Sequence, residues 1–291
     1  MKIKSLLSIV FVLFVMSFAS AQDDLLNQLD TIKSTKKEIA PAAFKALQVC
    51  NIQSTKLPVK GELYILISHR FGDLNKGINN FFGLDNALTK IGGIYGVTNW
   101  LSLGVSRHTH DKLYELAVKY KLLNQTIGGF PLTVVGYNTA DINSELKKDA
   151  SNPGLEFNHR MAYTSQLIIS RKFSESISFE VAPIFVHKNL FDGLLDQENL
   201  FLLGAGGRCK LSKRISLNLE YAYKLNVAND ETTRYQNPLA LGIDIETGGH
   251  VFQMVFANSQ PMNDVTMFSN VERYKYNGAG FYFGFNMYRV F

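Results

Sequence analysis

The sequence predicts an all-β protein, a closed antiparallel transmembrane β-barrel of about twelve strands (about 12–14), with short periplasmic turns and longer extracellular loops. Three observations predict it. Long segments carry apolar residues at every second position, tight turns alternate with long loops between them, and an export signal precedes them all.

The export signal comes first in the chain. Lys2 and Lys4 form a basic start, Leu6 to Phe18 is an almost unbroken apolar run, and Ala19-Ser20-Ala21 supplies small residues before Gln22. That order reads as a secretory signal peptide over 1–21, too short to cross a bilayer as a helix. Nothing after Ala21 approaches the roughly 18 consecutive apolar residues of a membrane helix. Residues 22–60 read as a periplasmic N-terminal segment. Within it, 23–39 suits a short helix with Leu25, Leu26, Leu29 and Ile32 on one face. The strand-like stretch 42–52 has three placements open to it: inside the lumen, briefly paired at the periplasmic rim, or in the wall of a larger barrel.

From residue 61 to 291 the period is two. Ile215, Leu217, Leu219, Tyr221, Tyr223 and Leu225 alternate with Ser216, Asn218, Glu220, Ala222 and Lys224. Tyr114, Leu116, Val118, Tyr120 and Leu122 alternate with Glu115, Ala117, Lys119 and Lys121. Such alternation sets one face in an apolar medium and the other against something polar. A soluble sandwich alternates too, so strand length and connections discriminate. Many segments reach about 9–11 residues, as a tilted membrane strand requires. Tight turns fall at 97–99, 124–129, 173–176, 211–213 and 247–249. Long loops fall at 72–86, 143–158, 189–198, 226–238 and 260–277, with a shorter one near 108–111. Short turns on one side and long loops on the other identify the periplasmic and outer faces. An even strand count then puts both termini in the periplasm of an outer-membrane protein.

The last strand carries Phe281, Phe283, Phe285, Met287, Arg289 and Phe291 on one face and Tyr282, Gly284, Asn286 and Tyr288 on the other. An apolar final strand ending in an aromatic resembles the signal read by barrel-insertion machinery, an expected partner along with outer-membrane lipid. Arg289 departs from that pattern, at a cost of roughly 0–1 kcal/mol near the interface.

Several strings are recognisable together: His69-Arg70-Phe71-Gly72, Phe82-Gly83-Leu84-Asp85, Tyr95 to Leu101, Arg171 to Ser176, Glu246 to Gln253 and Gly284 to Phe291. As a set they resemble a domain-of-unknown-function outer-membrane β-barrel family of Bacteroidota, from about Phe44 to the end. The resemblance implies a membrane barrel and no particular activity, substrate or catalytic residue.

Candidate chemistry is sparse. The formal charge is +5, two of it from signal-peptide lysines, and too scattered to indicate nucleic acid. Cys50 and Cys209 could meet as a disulfide, but small apolar residues on strands is the plainer reading. His108, His110 and Asp111 form a His-x-His-Asp cluster able to ligate zinc or copper, with a polar outer-loop tip as the competing account. Gly204-Ala205-Gly206-Gly207 lacks the following helix that a phosphate loop needs, so those glycines suit a bend or close packing in the wall.

The alternation turns Arg70, Glu115, Lys119, Lys121, Glu180, Arg208, Lys210, Glu220, Lys224, Asp244 and Glu246 inward, where they must pair or line water. Three functions follow as expectations. The first is passage or binding of a small solute through a charged lumen. The second is a closed structural barrel that presents its loops, around 81–85 above all, to a partner. The third, a membrane-embedded hydrolase, needs a serine and histidine in reach on one face. Ser68 and His69 point to opposite faces and cannot pair; Ser106 and His108 and cross-strand sets stay open. No cofactor and no catalytic residue is expected.

Overall fold

The structure is a computed structural model that describes residues 38–149, 153–191, 197–227, 236–269, 273–274 and 278–291. The signal peptide and the helical reading of 23–39, apart from Glu38 and Ile39, lie outside the described residues. So do the middles of several outer loops.

Twelve wall strands close a barrel. They are β1 (Leu63–Asp73), β2 (Leu88–Gly96), β3 (Leu101–His108), β4 (Leu113–Leu123), β5 (Thr133–Asn143), β6 (Met161–Lys172), β7 (Ile177–Lys188), β8 (Asn199–Lys210), β9 (Ile215–Lys224), β10 (Leu239–Thr247) and β11 (His250–Ala257), completed by β14 (Tyr282–Val290). A small hairpin, β12 (Arg273–Tyr274) with β13 (Gly278–Ala279), stands apart in the β11–β14 connection, which also holds a short helix, α1 (Asp264–Ser269). Sequential strands pair antiparallel, and the ring closes between β1 and β14, from Tyr64 opposite Val290 to Asp73 opposite Tyr282. Closure satisfies the backbone groups of both terminal strands, which hydrocarbon could not solvate.

The pleat sorts the side chains as the alternation requires. On β9, Ile215, Leu217, Leu219, Tyr221 and Tyr223 face out, while Ser216, Asn218, Glu220, Ala222 and Lys224 are buried inside. The outer wall carries further exposed apolar residues, among them Ile91, Leu103, Leu116, Phe179, Phe201, Leu241 and Phe256. Outward rings stack across β1, β11 and β14, with His69 and Phe252 each 5.6 Å from Phe285. Arg289 faces out at the periplasmic end, its guanidinium 4.6 Å above the Phe291 ring in a cation–π contact.

Residues 43–57 are neither a wall strand nor a free periplasmic segment; they fold into the lumen. The chain is tied to the periplasmic turn after β4, where Ala40 N donates to Gln125 O at 2.9 Å, and leaves beside the turn after β2, where Gly61 N donates to Gly96 O at 2.8 Å. Between these points it makes a tight reversal, with Val49 N on Ile52 O at 2.8 Å and Ser54 N on Leu47 O at 2.9 Å. From the other side, residues 259–269 enter with α1. Ile52 and Leu57 of the first insert join Val265, Met267 and Phe268 of the second in one apolar cluster with Val135, Tyr137, Ile168 and Ile184 of the wall.

Candidate functional site in the barrel lumen

The tip of the N-terminal insert, 49–52, is held by polar groups that the pleat turns inward. Glu220 is the centre of this arrangement. Its carboxylate accepts from the backbone N–H groups of Cys50, Asn51 and Ile52, each at 2.9 Å, and from Asn51 Nδ2 at 3.0 Å. The turn presents successive N–H groups in one direction, a concave donor set suited to an anion. Around it, Gln253 Nε2 donates to Val49 O at 2.6 Å and Asn286 Nδ2 to Cys50 O at 2.7 Å. Arg70 Nη2 donates to Asn51 Oδ1 at 2.8 Å, Lys119 Nζ to Leu47 O at 3.1 Å, and Tyr288 OH to Gln48 Oε1 at 2.7 Å.

Glycine in the wall makes room for the insert. A Cβ on Gly206 would lie 2.9 Å from Val49 Cγ2, and one on Gly242 would lie 2.7 Å from Cys50 Sγ. Phe44, Leu47, Val49, Cys50 and Ile52 are consequently at most 1% exposed, so the lumen is filled at mid-height.

The predicted inward charges differ in burial. Arg70, Glu115, Lys119, Glu180, Arg208, Glu220, Lys224 and Asp244 are buried, whereas Lys121, Lys210 and Glu246 are half-buried towards the periplasmic rim. They do not form one cluster. Arg208 pairs with Glu246 and lies 3.9 Å from Asp244, whose Oδ1 accepts from Asn218 and Gln253 at 2.7 Å. Lys224 Nζ donates to Ser269 O at 3.1 Å, which ties β9 to α1. Both carboxylate oxygens of Glu180 are buried, beside the Thr55 backbone of the insert.

Glu115 meets a residue that the alternation did not single out, Lys90 on β2, at 2.9 Å. Ser106 Oγ donates to Glu115 Oε1 at 3.0 Å and lies 3.1 Å from His108 Nε2, which is 3.4 Å from Glu115 Oε2. His108 is therefore a buried wall residue at the end of β3, not part of a loop tip. His110 and Asp111 stay in the outer turn, half-exposed and 3.5 Å apart. A cavity of about 20 Å³ beside Lys90, Ser106 and Glu115 has space for one water. A wider cleft of about 470 Å³ opens at the outer mouth, lined by Asp73, Lys76, Asn80 and Gln260 among others.

The two cysteines are free, Cys50 inside the lumen and Cys209 on the outer wall, so the strand reading holds for Cys209 alone. Burial pushes the Cys50 thiol well up, reinforced by the carboxylates of Glu220 and Asp244 and opposed by Arg70. Burial also lowers Lys56. The Asp264 carboxyl is pushed up to about 7 by burial and then by Glu115, against the pull of Lys90 and Lys119.

The sequence matches the family model of the membrane-bound beta barrel domain DUF5777 over residues 44–291. The chain belongs to this family. The match begins at the first fully buried residue of the luminal insert, so the insert is part of the family domain. The protein is thus a membrane-bound β-barrel of the outer-membrane type, in contact with lipid along its apolar wall. No curated protein matches the sequence. Similar solved structures include the NanC porin, with a TM-score of 0.48 and 11% identity over 78% of this chain and 98% of that one. The KdgM porin gives 0.47 and 9% over 79% and 99%. An outer membrane channel of Pseudomonas putida F1 gives 0.42 and 13% over 87% and 100%. The likeness lies in barrel architecture, and no functional residue is carried across.

Proposed function

We propose that this DUF5777 barrel is a gated channel for small polar solutes, closed in its resting state by its own residues 43–57. The carrying observation is the chemistry of the plug contact. A permanently closed barrel is most cheaply filled with apolar side chains, because burying charge costs several kcal/mol per ion. Here the wall instead turns Arg70, Lys119, Glu180, Glu220 and Asp244 into the lumen, where water would serve them once the plug withdrew. Both ends of the plug sit at the periplasmic rim, so it can leave on that side while the wall ladder stays intact. Solute efflux from liposomes tests the reading: the protein should be nearly tight, and loosening the plug at Glu220 should make the liposomes leak. Continued tightness with the plug demonstrably out would contradict it.

A closed interaction barrel is the second reading. The outer turn after β1 exposes Ile78, Phe81, Phe82 and Leu84, with Phe81 and Phe82 at positive φ, a costly conformation for bulky residues that is associated with binding sites. A hydrolase receives least support. Ser106 and Glu115 both approach Nε2 of His108, whereas a triad places the acid on the ring nitrogen remote from the nucleophile.

A further inference from the structure

The part of the wall that holds the plug tip is an arc of neighbouring strands, β1, β14, β11, β10 and β9. Arg70 stands on the strand at one end and Glu220 on the strand at the other. Between them lie the amides of Asn286 and Gln253, and Gly242 leaves space for Cys50. Arg70, Asn286, Gln253 and Glu220 are at most 3% exposed, and each bonds to residues 49–52. Asn51 joins the two ends. Its Oδ1 accepts from Arg70 Nη2 at 2.8 Å, and its Nδ2 donates to Glu220 Oε1 at 3.0 Å. The carboxamide dipole is thus clamped with its negative end on a guanidinium and its positive end on a carboxylate.

Neither charge is neutralised by the wall. Among the described residues neither Arg70 nor Glu220 forms an ion pair, whereas Lys90 is committed to Glu115 and Arg208 to Glu246. The plug offers acceptors to the cation and donors to the carboxylate, all from neutral amide groups. A solute with full charges in the same order would bond more strongly to both. A net anion would satisfy Arg70 and leave Glu220 buried and unpaired; a net cation would do the reverse. Either leaves an uncompensated charge, which a low-dielectric site strongly disfavours. The carboxylate and ammonium of an α-amino acid are only one bond farther apart than the oxygen and nitrogen of the Asn51 amide. Such a solute can reach the same two partners.

We propose that the arc from Arg70 to Glu220 binds zwitterionic solutes of amino-acid size, carboxylate on Arg70 and ammonium on Glu220. Such a solute displaces the plug by taking its partners. This rests on the gated-channel reading and adds to it the class of solute that opens the gate.

The test uses the full chain, refolded in detergent and carrying Cys209→Ser, so that maleimide reads the exposure of Cys50 alone. L-Alanine is the zwitterion. Propionate and ethylamine carry one of its charges each and are matched in concentration and ionic strength. A ligand of the open state multiplies that population by 1 + [L]/Kd, so a site with a Kd of about 10⁻² M raises the labelling rate about tenfold in about 0.1 M L-alanine. Propionate and ethylamine should leave the rate unchanged. Removing one charge should then change the preference: Glu220→Gln should respond to propionate, and Arg70→Gln to ethylamine. A rate indifferent to L-alanine, or raised equally by all three probes, would overturn the proposal. If the variants do not fold, the ranking of the three probes on the Cys209→Ser chain decides alone. Labelling reads the plug and not passage, which separates this site from the channel. If Glu220→Ala labels and conducts while the Cys209→Ser chain ignores L-alanine, the site falls and the channel stands. A rise in labelling with L-alanine but no conductance would do the reverse.

Discussion

Glu220→Ala is the sharpest perturbation of the plug. The substitution removes the acceptor of three consecutive backbone N–H groups, those of Cys50, Asn51 and Ile52. A buried donor left without its partner costs about 1–3 kcal/mol. Water entering the space of the lost side chain offsets part of this, so closure should weaken by about 3–6 kcal/mol. A shift of roughly 5.5 kcal/mol carries a two-state equilibrium from about 1:99 to about 99:1, enough to turn a rarely open barrel into an often open one. The assay pairs planar-bilayer conductance with maleimide labelling of Cys50 in a Cys209→Ser background. Cys50 has no solvent exposure in the closed state and should label only when the plug is out. The variant should label and conduct together. Labelling without conductance would refute the channel; a variant that neither labels nor conducts would refute the role given to Glu220.

Other outcomes follow from the same contacts. Glu115→Gln strands the Lys90 ammonium in the wall, and losing one partner of a buried pair costs about 3–5 kcal/mol. The heat-shift midpoint should fall sharply in that variant and recover in the Lys90→Met/Glu115→Gln double variant; equal losses in both would show that the pair contributes nothing specific. Cys50 supplies a pH dependence. Its folded thiol titrates well above its usual 9.0, so unfolding releases a proton once the pH passes that value. Stability from this residue is full below about pH 9 and declines above it. Urea titrations at pH 8 and pH 10 should therefore lose less stability in Cys50→Ala than in the unaltered chain, and identical losses would contradict this.

How much of this was legible in the sequence depended on whether period two survived. On β4 and β9 the alternation is unbroken, so Glu115, Lys119, Glu220 and Lys224 could be assigned to the lumen without coordinates. On β2 the pair Gly92-Gly93 interrupts it, which hid Lys90. His108 was read as loop because its strand turns polar after Val105. The plug defeated periodicity for a physical reason: a segment buried on all sides has no face to alternate. The available signal lay in the wall, where Gly204, Gly206 and Gly242 stand at luminal positions that a self-filled barrel would occupy with side chains.

The central claim, that residues 43–57 are the gate, is tested most directly by locking them. A Cβ on Gly242 would lie 2.7 Å from Cys50 Sγ, so Gly242→Cys sets a second thiol against the plug tip. In a chain that also carries Glu220→Ala, single-channel conductance should be absent after oxidation and appear on adding reductant. Conductance of equal size in the oxidised, cross-linked protein would contradict the account.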